Sequence, residues 1–140
     1  MADKEKHGVI PLKKLLSLLL IICFILLSGC NAYNSKYNAV AFVHSNTSDN
    51  AFMSFYQFEG TMVFKLRNKS DAGVIKYTAK LEKGSAEVYY DDAGTKTLMC
   101  SVNSGQSVES ASPPLKAGTV YIIIQSNGKC KNGDFRFDLG

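Results

Sequence analysis

The chain has 140 residues, 46% of them hydrophobic and 20% charged, with a formal net charge of +4. That length supports one hydrophobic core and not several, and the hydrophobic share exceeds that of a disordered chain. Four of the sixteen basic and two of the twelve acidic side chains fall within residues 1–29, so the remainder carries a net charge near +2. No Lys/Arg stripe is left to track a phosphate backbone, and nucleic acid is not an expected partner.

Lys4, Lys6, Lys13 and Lys14 precede a run, Leu15 to Leu27, that is apolar except for Ser17. A basic start, a short apolar core and small residues before a cysteine form the layout of a secretory signal peptide. A membrane-spanning helix needs about 20 apolar residues, more than this run has. The run closes on Leu27-Ser28-Gly29-Cys30, which resembles the lipobox of bacterial lipoprotein precursors. The resemblance implies that residues 1–29 are removed, that Cys30 becomes the N-terminus, and that its thiol carries the lipid (palmitate). The protein would then be extracytoplasmic and held on a bacterial membrane through Cys30, facing the cell surface or the periplasm. An ordinary signal peptide or an uncleaved anchor is the alternative. In Gram-negative lipoproteins an aspartate after the cysteine retains the protein at the inner membrane. Asn31 stands there instead, which implies the outer membrane in such a cell, or the wall side of the membrane in a Gram-positive one.

Residues 30–38, the expected lipidated cysteine and a polar segment without period, read as a short tether of at most about 28 Å over its eight residues after Cys30. From residue 39 to 140 the chain alternates in short segments. Met62, Phe64 and Leu66 oppose Lys65 and Arg67, and Ile75, Tyr77, Ala79 and Leu81 oppose Lys76, Thr78, Lys80 and Glu82. Leu98, Cys100 and Val102 alternate with Thr97, Met99 and Ser101, and Phe135, Phe137 and Leu139 with Arg136 and Asp138. Each is the pattern of a strand with one buried and one wet face. Val120 to Ile124 is apolar on both faces, as in a central or covered strand. Weaker strand signals lie at 39–44, 53–58 and 86–90. The separators, such as Lys83-Gly84-Ser85, Asp91-Asp92-Ala93-Gly94 and Asn127-Gly128, carry turn chemistry. Pro113-Pro114 is poorly suited to a ladder. The expected fold is all-β, an antiparallel β-sandwich of jelly-roll type following the N-terminal helical segment.

The residues that carry catalysis elsewhere are sparse. After residue 29 there is one histidine, His44, at a strand end, and no Gly-x-Ser-x-Gly. No Cys-x-x-Cys or His-x-x-x-His pair offers a zinc site, and the Asp91-Asp92-Ala93-Gly94 segment reads as a hairpin rather than a calcium loop. Glu82 and Glu87 fall on wet faces, so no carboxylate pair for glycoside hydrolysis is expected. Neither an enzyme nor a cofactor or metal is expected. Cys100 and Cys130 are either a disulfide or two free thiols. An exported setting favours the disulfide, which would close a loop of about 30 residues worth roughly 3 kcal/mol. Among the aromatics, Phe52, Phe58, Phe64, Phe135 and Phe137 are expected in the core, with Phe52, Ser54, Tyr56 and Phe58 on one face of their strand. Tyr56, Tyr89 and Tyr121 are the candidates for ligand contact, because a phenol stays wet while its ring packs or stacks.

Phe58-Glu59-Gly60-Thr61, the Lys83-Gly84-Ser85 turn, Asp91-Asp92-Ala93-Gly94 and the run from Gly128 to Phe137 resemble small extracellular jelly-roll and carbohydrate-module-like domains. That resemblance implies the fold and assigns no contacting residue. The expectation is a non-catalytic binding module for a glycan or another envelope ligand. The alternative is a structural or assembly accessory that acts through an envelope protein, motivated by Val120 to Ile124 if one face of that strand is uncovered.

Overall fold

The computed structural model describes residues 11–27 and 33–140. The chain divides into two compact units, Met1–Ala32 and Tyr33–Gly140. In the first, helix α1 (Leu12–Leu27) follows Pro11, whose carbonyl accepts from the Lys14 and Leu15 amides. No described helix is long and apolar enough to cross a membrane. Leu27 ends α1, and Ser28, Gly29 and Cys30 lie outside the described residues.

The second unit holds nine antiparallel strands: β1 (Lys36–Val40), β2 (Val43–Asn46), β3 (Asn50–Asn68), β4 (Ile75–Lys83), β5 (Ser85–Asp91), β6 (Thr97–Asn103), β7 (Gln106–Ala111), β8 (Gly118–Ser126) and β9 (Cys130–Leu139). Their order is β6-β5-β8-β3-β9-β4-β7, with β1 and β2 on β3 as well. The 19-residue β3 belongs to two sheets. Asn50 to Phe58 pair with β9, and Thr61 to Asn68 pair with β8. The first sheet is therefore β6-β5-β8-β3 and the second β3-β9-β4-β7. At the far end the sheets meet again, where the Tyr77 hydroxyl of β4 donates to the Met99 carbonyl of β6 at 3.2 Å. The inner faces bury one core led by Phe58, Phe64, Phe135, Phe137, Met53 and Leu66. This is the antiparallel sandwich that the alternation predicts.

Three features of the ladder depart from the sequence reading. The tether expected over residues 31–38 gives β1, because Lys36 to Val40 find partners from Thr61 back to Gln57. The weak signal at 53–58 and the strong one at 62–66 are one strand, and their inward faces have opposite parity. Ala51, Met53 and Phe55 point inward, then Phe58, Met62 and Phe64. β9 changes parity at the same level, between buried Cys130 and buried Gly133, through Asn132 at φ 51°. Phe52 is consequently not core: it faces outward under the Arg136 guanidinium, 5.5 Å from its ring centroid. Leu98, expected inside β6, is exposed as well, because the β5/β6 register shifts between Val88 and Tyr89.

The parity change explains a glycine. A Cβ at Gly133 would lie 2.2 Å from the Phe55 ring, which packs across it and against Phe58 and Phe135. An aromatic laid over a cross-strand glycine fills the space that its missing side chain leaves. Buried polar groups are likewise accounted for. Asn68 donates to the Leu115 and Lys116 carbonyls, and the Ser112 hydroxyl accepts from the Ile75 amide. Neither loop need find water for these groups.

The expected Cys100–Cys130 disulfide is not present, and both thiols are free. Cys130 lies inside the second sheet, on β9, with its Sγ donating to the Ser85 carbonyl at 3.3 Å. Cys100 lies on the edge strand β6, opposite Val88, which is three residues along β5 from Ser85. Burial pushes the Cys100 thiol up to about 11. It raises that of Cys130 too. Neither is the thiolate that nucleophilic chemistry requires.

Candidate functional site

In an antiparallel ladder, residues directly opposite one another share a face. On the outer face of the first sheet the registers therefore build three rows. The central row is Val63, Ile123, Tyr89 and Leu98, from β3, β8, β5 and β6 in turn. On one side of it lie Lys65, Tyr121 and Asp91, and on the other Thr61, Gln125, Glu87 and Ser101. Ile123 is only 2% exposed, yet it stands apart from the core cluster between the sheets. It is covered by the outer-face side chains around it. On the outer face of Val120 to Ile124, Ile123 is thus covered and Tyr121 half-buried.

Two of the three sequence-chosen tyrosines meet here. Tyr89 donates its hydroxyl to the Glu87 carboxylate, which raises its pKa. The Lys96 ammonium sits 4.2 Å from the Tyr89 ring centroid and donates to the Gln125 amide oxygen at 2.9 Å. Tyr121 is half-buried in the neighbouring row, opposite Lys65. Tyr56, 52% exposed, is not brought to them. It lies on β3 between Phe55 and Gln57, whose partners Gly133 and Lys131 place it in the second sheet.

A third tyrosine on this face was missed. Tyr33 comes from the lead before β1, and its ring packs 5.2 Å from that of Tyr121 at 60°. Its hydroxyl donates to Asp91 at 2.5 Å. The Asp91 carboxylate also accepts from the Ala93 and Gly94 amides, so it closes its own turn while holding Tyr33. Two residues on, the Ser35 hydroxyl accepts from the Val63 amide at the open edge of β3. The bond to Asp91, followed by burial, pushes the Tyr33 phenol up to about 12. The contact is therefore fully present below the ordinary tyrosine value of about 10 and is lost as pH rises through about 12. The available sequence signal was a pair of tyrosines, Tyr33 and Tyr37, in a segment otherwise polar.

The other face and the hairpins offer different chemistry. The second sheet's outer face carries two shallow grooves of about 470 and 530 Å³. Their charges alternate along the ladder: Asp134 beside Lys80, Asp138 beside Lys76, and Arg136 bonded to Asp134 at 2.8 Å. In the 91–94 turn, Asp92 accepts from the Lys116 amide, so both aspartates are used by backbone. His44 is exposed and stacks on Phe42 with centroids 4.9 Å apart. Among the described residues no three His, Cys, Asp or Glu side chains come together.

No protein-family model matches the chain, and no curated protein sequence does. Among solved structures, TmCBM61 in complex with beta-1,4-galactotriose is similar at 12% identity and a TM-score of 0.44, over 83% of this chain and 77% of that one. A family 6 carbohydrate-binding module is similar at 18% identity and a TM-score of 0.39, over 77% and 88%. A cupin domain from Bordetella pertussis tohama I is similar at 7% identity and a TM-score of 0.36, over 74% and 97%. Likeness of this degree assigns no ligand to this chain.

Proposed function

We propose that this protein is an extracytoplasmic lipoprotein, held on a bacterial membrane by lipid on Cys30, whose sandwich is a non-catalytic binding module for a glycan of the envelope or its surroundings. The observation that carries the binding role is the outer face of the first sheet. Tyr33, Tyr89 and Tyr121 gather there about Val63 and Ile123, flanked by the amide of Gln125 and the hydroxyls of Thr61 and Ser101. Rings take the apolar face of a sugar, and amides and hydroxyls take its hydroxyl groups. Groups spread along three rows of a sheet suit a polymer that lies along them better than a small molecule that needs enclosure.

The Tyr33–Gly140 unit contains all nine strands and their common core, so a soluble form of residues 31–140 is a fair test object. Titrated with wall polymers and common polysaccharides, it should bind at least one and gain thermal stability. Tyr121→Ala and Tyr89→Ala should each weaken that binding about tenfold or more, the loss of one stacking aromatic. Tyr56→Ala should leave it unchanged. Flat responses across the whole set would remove the binding role. For the anchor, Cys30→Ala should abolish incorporation of a fatty-acid analogue by the full chain in cells. Labelling that persists in the variant would refute it.

A further inference from the structure

We infer that the polymer recognised by this face is acidic, a polysaccharide whose sugars carry carboxylates; the inference rests on the binding role proposed above and narrows its ligand. The cations of the face have no carboxylate partner among the described residues. Lys65 and Arg67 share the outward parity of Val63 on β3, and both are exposed. Lys65 stands opposite Tyr121, and Lys96 lies over Tyr89, so each candidate stacking ring has an ammonium as its immediate neighbour. Among the described residues the ion pair is Arg136–Asp134, on the second sheet. Lys65, Arg67 and Lys96 have no carboxylate partner there.

The carboxylates of the same face are engaged. Asp91 is buried and holds the Tyr33 hydroxyl with one oxygen and two backbone amides with the other. Glu87 accepts from the Tyr89 hydroxyl. What an approaching polymer meets is therefore the Tyr121 ring beside Lys65 and the Tyr89 ring under the Lys96 ammonium, cations that have no carboxylate partner among the described residues. Uronate carboxylates satisfy both, and a neutral sugar would leave the cations without a counter-charge. An anionic bilayer would satisfy the charge alone. The amides and hydroxyls of Gln125, Thr61 and Ser101, with Leu98 as the one exposed large apolar side chain of the three rows, fit a hydroxylated polymer better.

The test compares residues 31–140 with polygalacturonate, alginate and hyaluronan, with fully methyl-esterified pectin, and with vesicles of phosphatidylcholine and phosphatidylglycerol. One of the acidic polymers should bind, and its affinity should fall steeply as salt is raised from roughly 0.01 to 1 M, where the screening length shrinks to about 3 Å. The double variant Lys65→Gln with Lys96→Gln should bind that polymer about tenfold more weakly, as expected for two partly exposed ion pairs. An unchanged melting temperature would confirm that it is folded. Esterified pectin or another neutral polysaccharide bound as well as the acidic ones would overturn charge selection while the binding role stands. No response to any polysaccharide, acidic or neutral, would overturn both. Binding to the vesicles without binding to the polymers would replace the polymer with a membrane surface and overturn the inference. The esterified comparison uses the unaltered protein, so the outcome does not depend on how the variant folds.

Discussion

Gly60→Ala is expected to detach β1 and lower the stability of the domain by about 3 kcal/mol, a fall in Tm of roughly 10–20 °C for a domain of this size. Gly60 stands where β3 leaves β9 and takes up β8, between the last pair of one ladder at Phe58 and the first of the other at Thr61. Its φ of +127° is one that a side chain rarely adopts. A Cβ there would lie 2.3 Å from the Lys36 carbonyl oxygen and 2.7 Å from the Tyr37 Cα. Those atoms are backbone of β1 and cannot rotate away. The strand must move, and with it the register that sets Ser35 against Val63 and Tyr33 against Asp91. Hydrogen exchange should show the amides of Lys36 to Val40 losing protection ahead of those in β8 and β9. A variant with the parent's Tm and the parent's protection in β1 would show that the glycine is not required.

Phe58→Ala should cost about 3–5 kcal/mol in urea unfolding, the range for a large buried aromatic replaced by a methyl group. Phe58 is fully buried, stacked 5.5 Å from Tyr37 and close to Phe42 and Phe55 at 6.0 and 5.3 Å. It therefore joins the β1–β2 segment to the point where the two sheets part. Phe52→Ala, six positions earlier on the same strand, should cost under about 1 kcal/mol, since its ring faces out beneath Arg136. The contrast tests the parity change directly. Equal losses at the two sites would mean that the strand keeps one face throughout.

The strands that were legible from sequence have one wet and one dry face throughout, as in Ile75 to Leu81 and Phe135 to Leu139. There the period of two is set by burial alone. β7 escaped notice because it is an edge strand: of Gln106 to Ala111 only Val108 is even half-buried, so no alternation marks it. The parity change in β3 was hidden for another reason. Alternation either side of Phe55 to Phe58 is regular, and nothing local says that the count slips by one, because the slip is matched across the ladder at Asn132. Tyr89 and Tyr121 could be picked as half-wet rings, but that they meet, and that Tyr56 does not join them, follows from pairings between distant segments. Tyr33 was the hardest. Its partner Asp91 is 58 residues away, and two tyrosines in a polar lead give no period to read.

Because β3 belongs to both sheets, the order in which the chain is made matters to its safety. Along the edge opposite β1 its two halves pair with β9 and β8, which lie in the last quarter of the sequence. A chain that emerges N-terminus first, from a ribosome or a translocation pore, presents the 19 residues of β3 long before residues 118–139 arrive to cover them. Until then it can pair only with β1 and β2, along one edge. The closing of distant pairs is slow and leaves apolar strand exposed to association with other chains. Folding must therefore wait for the C-terminus, and loss of β9 alone would strand both halves of the sandwich.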